Sequence, residues 1–126
     1  MTDCSIPELL RAVSSAHPDR VAYRSKRGGR WTDITWAENT ATCRQISKAL
    51  IALGVKKGDR VAILSQTRLE WVQCDLGIVG CCGVTVGIYP SSTAADCRSS
   101  LETIPVAIDR PNRSPASCWT WRLLRR

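Results

Sequence analysis

Apolar positions change period along the chain, and each change marks an element. Residues 6–16 (IPELLRAVSSA) place Leu9, Leu10 and Val13 on one side of a short helix. It should stop near His17-Pro18, because a residue before proline is pushed out of the helical region. Residues 21–25 and 31–35 alternate with a period of two, so the intervening KRGGR reads as the turn of a β-hairpin. Thr35, with Glu38 three residues on, forms a capping box that opens a helix to about Leu53. Its inner stripe is Cys43, Ile46, Leu50 and Leu53, and Gly54 is the stop.

The short run RVAIL (60–64), entered from Lys56-Lys57-Gly58-Asp59, has the uninterrupted apolar character of a strand buried on both faces. A polar break, Ser65-Gln66-Thr67-Arg68, follows. Residues 69–82 then carry Leu69, Val72, Leu76 and Val79 at helical spacing and add Trp71, Cys74, Ile78 and Cys81. A helix apolar nearly all round belongs pressed against a sheet. Gly77, Gly80 and Gly83 recur every third residue and permit close backbone approach, with Gly83 placed as a C-cap. Residues 84–89 (VTVGIY) give a second strand closed by Pro90, so a right-handed parallel crossover is expected. Thr93 and Asp96 cap a further helix through Leu101, and 104–108 supplies a third parallel strand. The predicted class is α/β: an N-terminal hairpin plus helix leading into a partial doubly wound parallel sheet, β-α-β-α-β.

Composition changes this picture mainly at the C-terminus. From Arg110 onward the chain is rich in Arg, Pro and Ser and loses periodicity, which divides it into residues 1–109 and a basic tail, 110–126. Residues 103–126 hold five arginines against one aspartate, four of the seven net positive charges of the chain. Arginines interleaved with Trp119 and Trp121 are the chemistry of single-strand nucleic-acid binding, but short Pro/Ser/Arg segments more often stay unstructured, so nucleic acid is the weaker reading. Overall basicity does not separate an acidic lipid or coenzyme partner from plain solvation.

The seven cysteines, Cys4, Cys43, Cys74, Cys81, Cys82, Cys97 and Cys118, form no C-x-x-C pair, and the single histidine, His17, stands apart. That argues against zinc and against a Cys–His nucleophile. Cys43, Cys74, Cys81 and Cys82 are expected to serve as small core residues. An odd count without a signal peptide points to a reducing cytoplasm. The apolar stretch 69–82 is too short for the roughly twenty residues a membrane span needs and contains Glu70 and Asp75, so membrane contact could only be peripheral.

The run GVKKGDRVAIL, the polar break, and EWVQCDLGIVGCCGVTVGIYPSST closely resemble the N-terminal part of the AMP-dependent synthetases and ligases, the adenylate-forming enzymes. Glu70-Trp71 and Ile88-Tyr89-Pro90-Ser91-Ser92 make it most similar to the long-chain fatty acid CoA ligases, and Pro18 to Tyr23 and Ile34 to Glu38 extend the likeness backward. The resemblance covers roughly residues 6–101. It implies activation of a fatty acid by ATP to acyl-AMP, then thioester formation with CoA, with ATP, Mg2+ and CoA as the full-length family's cofactors. The Ser/Thr/Gly-rich phosphate loop ending in Pro-Lys, the magnesium glutamate, the ribose aspartate and the catalytic lysine of that family have no counterpart in this sequence. No catalytic, cofactor-binding or metal residue is therefore assigned. Gly28-Gly29 reads as a hairpin turn rather than a phosphate cradle.

The expectation is an N-terminal fragment of a fatty acyl-CoA ligase-like enzyme, inactive alone, with a departure from the family near residues 101–110. The alternative is a non-catalytic binding module acting through its sheet edge or its Trp/Arg tail. Tyr89-Pro90-Ser91-Ser92, at the carboxyl end of a strand, either touches substrate or, the preferred reading, is a strand-to-helix turn fixed by Pro90.

Overall fold

The computed structural model describes residues 5–102, 104 and 106–109. In chain order the elements are α1 (Ile6–Ala16), β1 (Val21–Arg27), β2 (Arg30–Thr35), α2 (Trp36–Ala52), β3 (Arg60–Leu64), α3 (Leu69–Gly80), β4 (Val84–Ile88), α4 (Ala94–Glu102) and β5 (Val106–Asp109). The predicted α/β class and its order of elements are therefore observed. The basic tail lies outside the described residues.

The hairpin strands are longer than their alternation suggests, because a two-residue loop joins them. Gly28 and Gly29 take φ of 55° and 80°, the pair of positive values a type I′ turn needs, and Arg27 pairs directly with Arg30. At the base of the hairpin, Tyr23 and Trp36 bring their rings to 6.2 Å, which fixes it on α2. Thr35 caps α2 as expected: its Oγ1 accepts from Glu38 N at 3.2 Å, while the Glu38 carboxylate accepts from Thr35 N at 2.8 Å.

The second sheet is parallel, in the order β4-β3-β5. From β3 the chain moves to β4 through α3, then crosses back over β3 to β5 through α4. The alternation of β3 puts the two helices on opposite faces. Val61 and Ile63 enter a core with Ile46, Leu50, Val55, Cys74 and Ile78, whereas Ala62 meets Ile88 with Leu64, Cys97 and Ile104 around them. Val61, Ala62 and Ile63 are at most 2% exposed, as a strand with helices on both faces requires.

Helices α2 and α3 cross at small residues. A Cβ at Gly77 would stand 2.5 Å from Ile46 Cγ2 and 2.8 Å from Ile46 Cβ. Ser47 Oγ donates to Gly77 O at 2.7 Å, with its own Cys43 O at 3.1 Å. The close approach expected of these glycines is thus real. The buried stripe of α2 is Asn39, Cys43, Ile46 and Leu50, while Leu53, expected inside, is half-buried at the C-cap and Val55 takes the next core position.

Helix α3 ends at Gly80 rather than at residue 82. Cys82 N donates to Val79 O and Gly83 N to Ile78 O, the two bonds of a Schellman motif, with Cys82 at φ 61°. Cys82 is exposed, which corrects its expected place in the core: at this position the chain has already turned out of the helix. The α2 terminus has the same pattern, Gly54 N to Ile51 O and Val55 N to Leu50 O, but there a glycine holds the positive φ of 88°.

Candidate functional site

In an open parallel sheet, ligands bind outside the carboxyl ends of the strands where the chain changes direction. Here that place lies beside β3, whose neighbours β4 and β5 are reached by helices on opposite faces. The segment after β3, residues 65–68, and the segment after β4, residues 89–93, border it. Ser65 Oγ donates to Gln66 O at 3.1 Å, and Gln66 and Thr67 are exposed. Arg68 Nε sits 3.4 Å from Glu70 Oε2 at the start of α3. Across the edge, Ser92 N donates to Tyr89 O at 3.0 Å, closing a four-residue turn around Pro90. The preferred reading of Tyr89-Pro90-Ser91-Ser92 as a turn is thus the observed geometry, and it leaves Tyr89 78% exposed.

This edge offers hydroxyls, an amide, a guanidinium and a phenol, enough to hydrogen-bond a ligand. It does not fit ATP or Mg2+ unaided. The first turns of α1, α2 and α4 are closed by carboxylates: Glu8 accepts from Ser5 N at 2.8 Å, Glu38 from Thr35 N, and Asp96 from Thr93 N at 3.1 Å. A helix start already bonded to its own carboxylate repels a phosphate. The Thr93 bonds hold the Asp96 carboxyl below the usual range, which keeps that charge in place. At α3 the first turn presents Glu70. Among the described residues no group of three or more His, Cys, Asp or Glu is placed to hold a metal.

The thiols expected in the core behave as core groups where they are buried. Burial pushes Cys43 and Cys74 up to about 11, so both stay protonated and unreactive near neutrality. Beside them lies a polar contact that the apolar pattern does not announce. Asn39 is fully buried, and its Oδ1 accepts from Gln73 Nε2 at 3.2 Å between α2 and α3. Only the positions of these residues, four before Cys43 and one before Cys74, hint that they face inward. Among the described residues no helix is long and apolar enough to cross a membrane.

The AMP-binding enzyme family model matches residues 10–107. The chain belongs to the AMP-binding enzyme family. Within it, the chain is 45% identical over 85 residues to the long-chain-fatty-acid–CoA ligase FadD15 of Mycobacterium bovis, a match covering 68% of this chain and 14% of that protein. It is 33% identical over 107 residues to the mouse (Mus musculus) long-chain-fatty-acid–CoA ligase ACSBG2, covering 85% of this chain and 16% of the relative. The matched part thus spans about one seventh of these curated AMP-binding relatives. Among solved structures, the N-terminal subdomain of Klebsiella oxytoca NpsA superposes with a TM-score of 0.74 at 22% identity, over 93% of this chain and 30% of that one. A Mycobacterium tuberculosis fatty acyl CoA synthetase does so with a TM-score of 0.71 at 26% identity, over 82% of this chain and 20% of that one. The expected resemblance to the adenylate-forming ligases is therefore a family membership, and the fold is that of an N-terminal subdomain of such enzymes.

Proposed function

We propose that this chain supplies the N-terminal α/β part of an ATP-dependent long-chain fatty acyl-CoA ligase and does not itself form acyl-AMP. The observation that carries the reading is the 45% identity over 85 residues to a long-chain-fatty-acid–CoA ligase, combined with a sheet edge that, among the described residues, lacks the groups a nucleoside triphosphate needs. In this reading residues 65–68 and 89–92 form one wall of the substrate-binding edge, and the phosphate-binding loop, magnesium carboxylate and catalytic lysine come from other parts of the ligase. The reaction served is attack of a fatty carboxylate on ATP, followed by displacement of AMP by the thiol of CoA. Residence in the reducing cytoplasm belongs to the same reading and is supported by the unjoined thiols Cys43 and Cys74 on facing helices.

The test is a pair of assays. The purified chain, given palmitate, ATP, Mg2+ and CoA, is expected to release no fatty-acid-dependent pyrophosphate. Residues 10–107, exchanged for the matching segment of an active fatty acyl-CoA ligase, are expected to leave a chimera that forms acyl-CoA. Pyrophosphate release by the chain alone overturns its assigned inactivity, and a folded but inactive chimera overturns the equivalence of the segments. A second reading, a binding module, is favoured by β4, which has no partner on its outer side among the described residues. Co-purification with a full-length relative, lost when β4 carries proline at Thr85, would support it.

A further inference from the structure

The β1–β2 hairpin extends away from α2 beyond the Tyr23–Trp36 contact at its base. A Cβ added at Gly28 or at Gly29 would meet no atom within 4 Å, so its tip stands clear of the rest of the described structure. The last two rungs pair Lys26 with Trp31 and Arg27 with Arg30. Residues opposite one another in an antiparallel pair share a face, so Lys26 and Trp31 lie on one side, with the Lys26 ammonium 5.9 Å from the Trp31 ring centroid. Trp31 is 65% exposed although nothing in a free-standing turn requires an aromatic there. Residues 20–30 contain five cations, Arg20, Arg24, Lys26, Arg27 and Arg30, and no carboxylate. The nearest anion, Asp33, is taken up by a two-pronged pair with Arg24 two rungs closer to the base than Lys26 and Trp31. The tip itself is left positive.

We infer that this hairpin tip docks the protein on an anionic lipid surface, with Trp31 in the headgroup layer and Lys26 and Arg30 against lipid phosphates and carboxylates. A tryptophan ringed by cations on a convex projection suits a flat, negatively charged interface. Single-stranded nucleic acid is bound by a groove with several stacking rings, whereas this tip offers one ring with a cation already over it. The inference does not depend on the adenylate-forming reading. It does supply that reading with a reason for the tip's charge, since fatty acids partition into membranes.

The experiment is sedimentation of the full chain with vesicles of pure phosphatidylcholine and with vesicles of equal parts phosphatidylcholine and phosphatidylserine. The chain is expected to pellet with the mixed vesicles only and to be released by salt, as a surface potential screened over a Debye length requires. W31A is expected to weaken partitioning, W31F to retain part of it, and K26Q and R30Q to cost about fivefold each. All three positions are solvent-facing, so unchanged circular dichroism and melting are expected in every variant. Failure of the wild-type chain to pellet with the mixed vesicles overturns the proposal. So does undiminished pelleting of folded W31A and K26Q/R30Q, which would assign binding to the five arginines of residues 110–126. Binding of single-stranded RNA that is lost in W31A, without vesicle binding, overturns it in favour of nucleic acid.

Discussion

The two faces of the β4-β3-β5 sheet are built to different depths. On one, β3 sends Val61 and Ile63 among five buried residues drawn from α2, α3 and the segment between α2 and β3, with Trp71 and Cys81 at the margin. On the other, Ala62 and Ile88 are the buried pair among the described residues, with Leu64, Cys97 and Ile104 covering them partly. The same strand, alternating every residue, therefore serves a finished core and a thin one. Burial of apolar surface is the main stabilising term in folding, so among the described residues the first face contributes the larger share of stability. The thin face is also the one that α4 covers, through Cys97.

Truncating each core tests the contrast most strongly. Ile78→Ala removes a fully buried side chain at the centre of the deep face and is expected to cost about 4 kcal/mol, whereas Ile88→Ala, at 6% exposure on the thin face, is expected to cost about 2 kcal/mol. Urea titration of both variants measures the difference, and equal losses would remove the distinction. Gly77→Ala inserts a methyl into the α2–α3 crossing. Overpacking at 2.5 Å from Ile46 should outweigh the helix-propensity gain and destabilise by about 2 kcal/mol. Shortening Ile46 to alanine alongside it should recover part of this loss, which a double-mutant cycle would show as a favourable coupling.

The smallest expected effect is a gain. Cys82→Gly relieves a side chain held at φ 61° and should stabilise the deep face by up to about 1 kcal/mol, while Cys82→Ala, equally strained, should leave the melting temperature unchanged. A gain in the alanine variant would show that the thiol, not the backbone, was the unfavourable element.

Much of this architecture was legible in the chain because local chemistry and tertiary burial agree. After Arg60, RVAIL had no polar residue to place on a wet face, Thr35 and Glu38 named the start of α2, and Gly28-Gly29 supplied the positive φ angles that a two-residue hairpin turn needs. What escaped are the positions where tertiary structure overrides local preference. Asn39 and Gln73 are polar and so vanish from an apolar periodicity, yet each is buried because the other satisfies part of it across the helix crossing. Cys82 carries no sign of its left-handed backbone, since glycine at the next position looked the better stop. For the site, Pro90 correctly announced a turn after β4, but the neighbourhood of the β3 and β4 carboxyl ends comes from strand order, and no residue spacing encodes that order. The sheet is read from three segments whose sequence order, β3, β4, β5, is not their spatial order.

The turns at the amino end of the sheet are joined to each other. Gly58 N donates to Cys82 O at 2.8 Å, and Val84 N donates to Asp59 O at 2.8 Å, so the connection entering β3 and the connection entering β4 share two backbone bonds. Loops as a rule exchange their amide hydrogens by local fluctuation, long before the core does. Here the amides of Gly58 and Val84, twenty-six positions apart in the chain, are released only when the pairing of β3 with β4 opens. In hydrogen-exchange terms the two turns belong to the same cooperative unit as the central strand, while residues 89–92 at the opposite end, closed by the turn bond from Ser92 N to Tyr89 O, exchange as a loop.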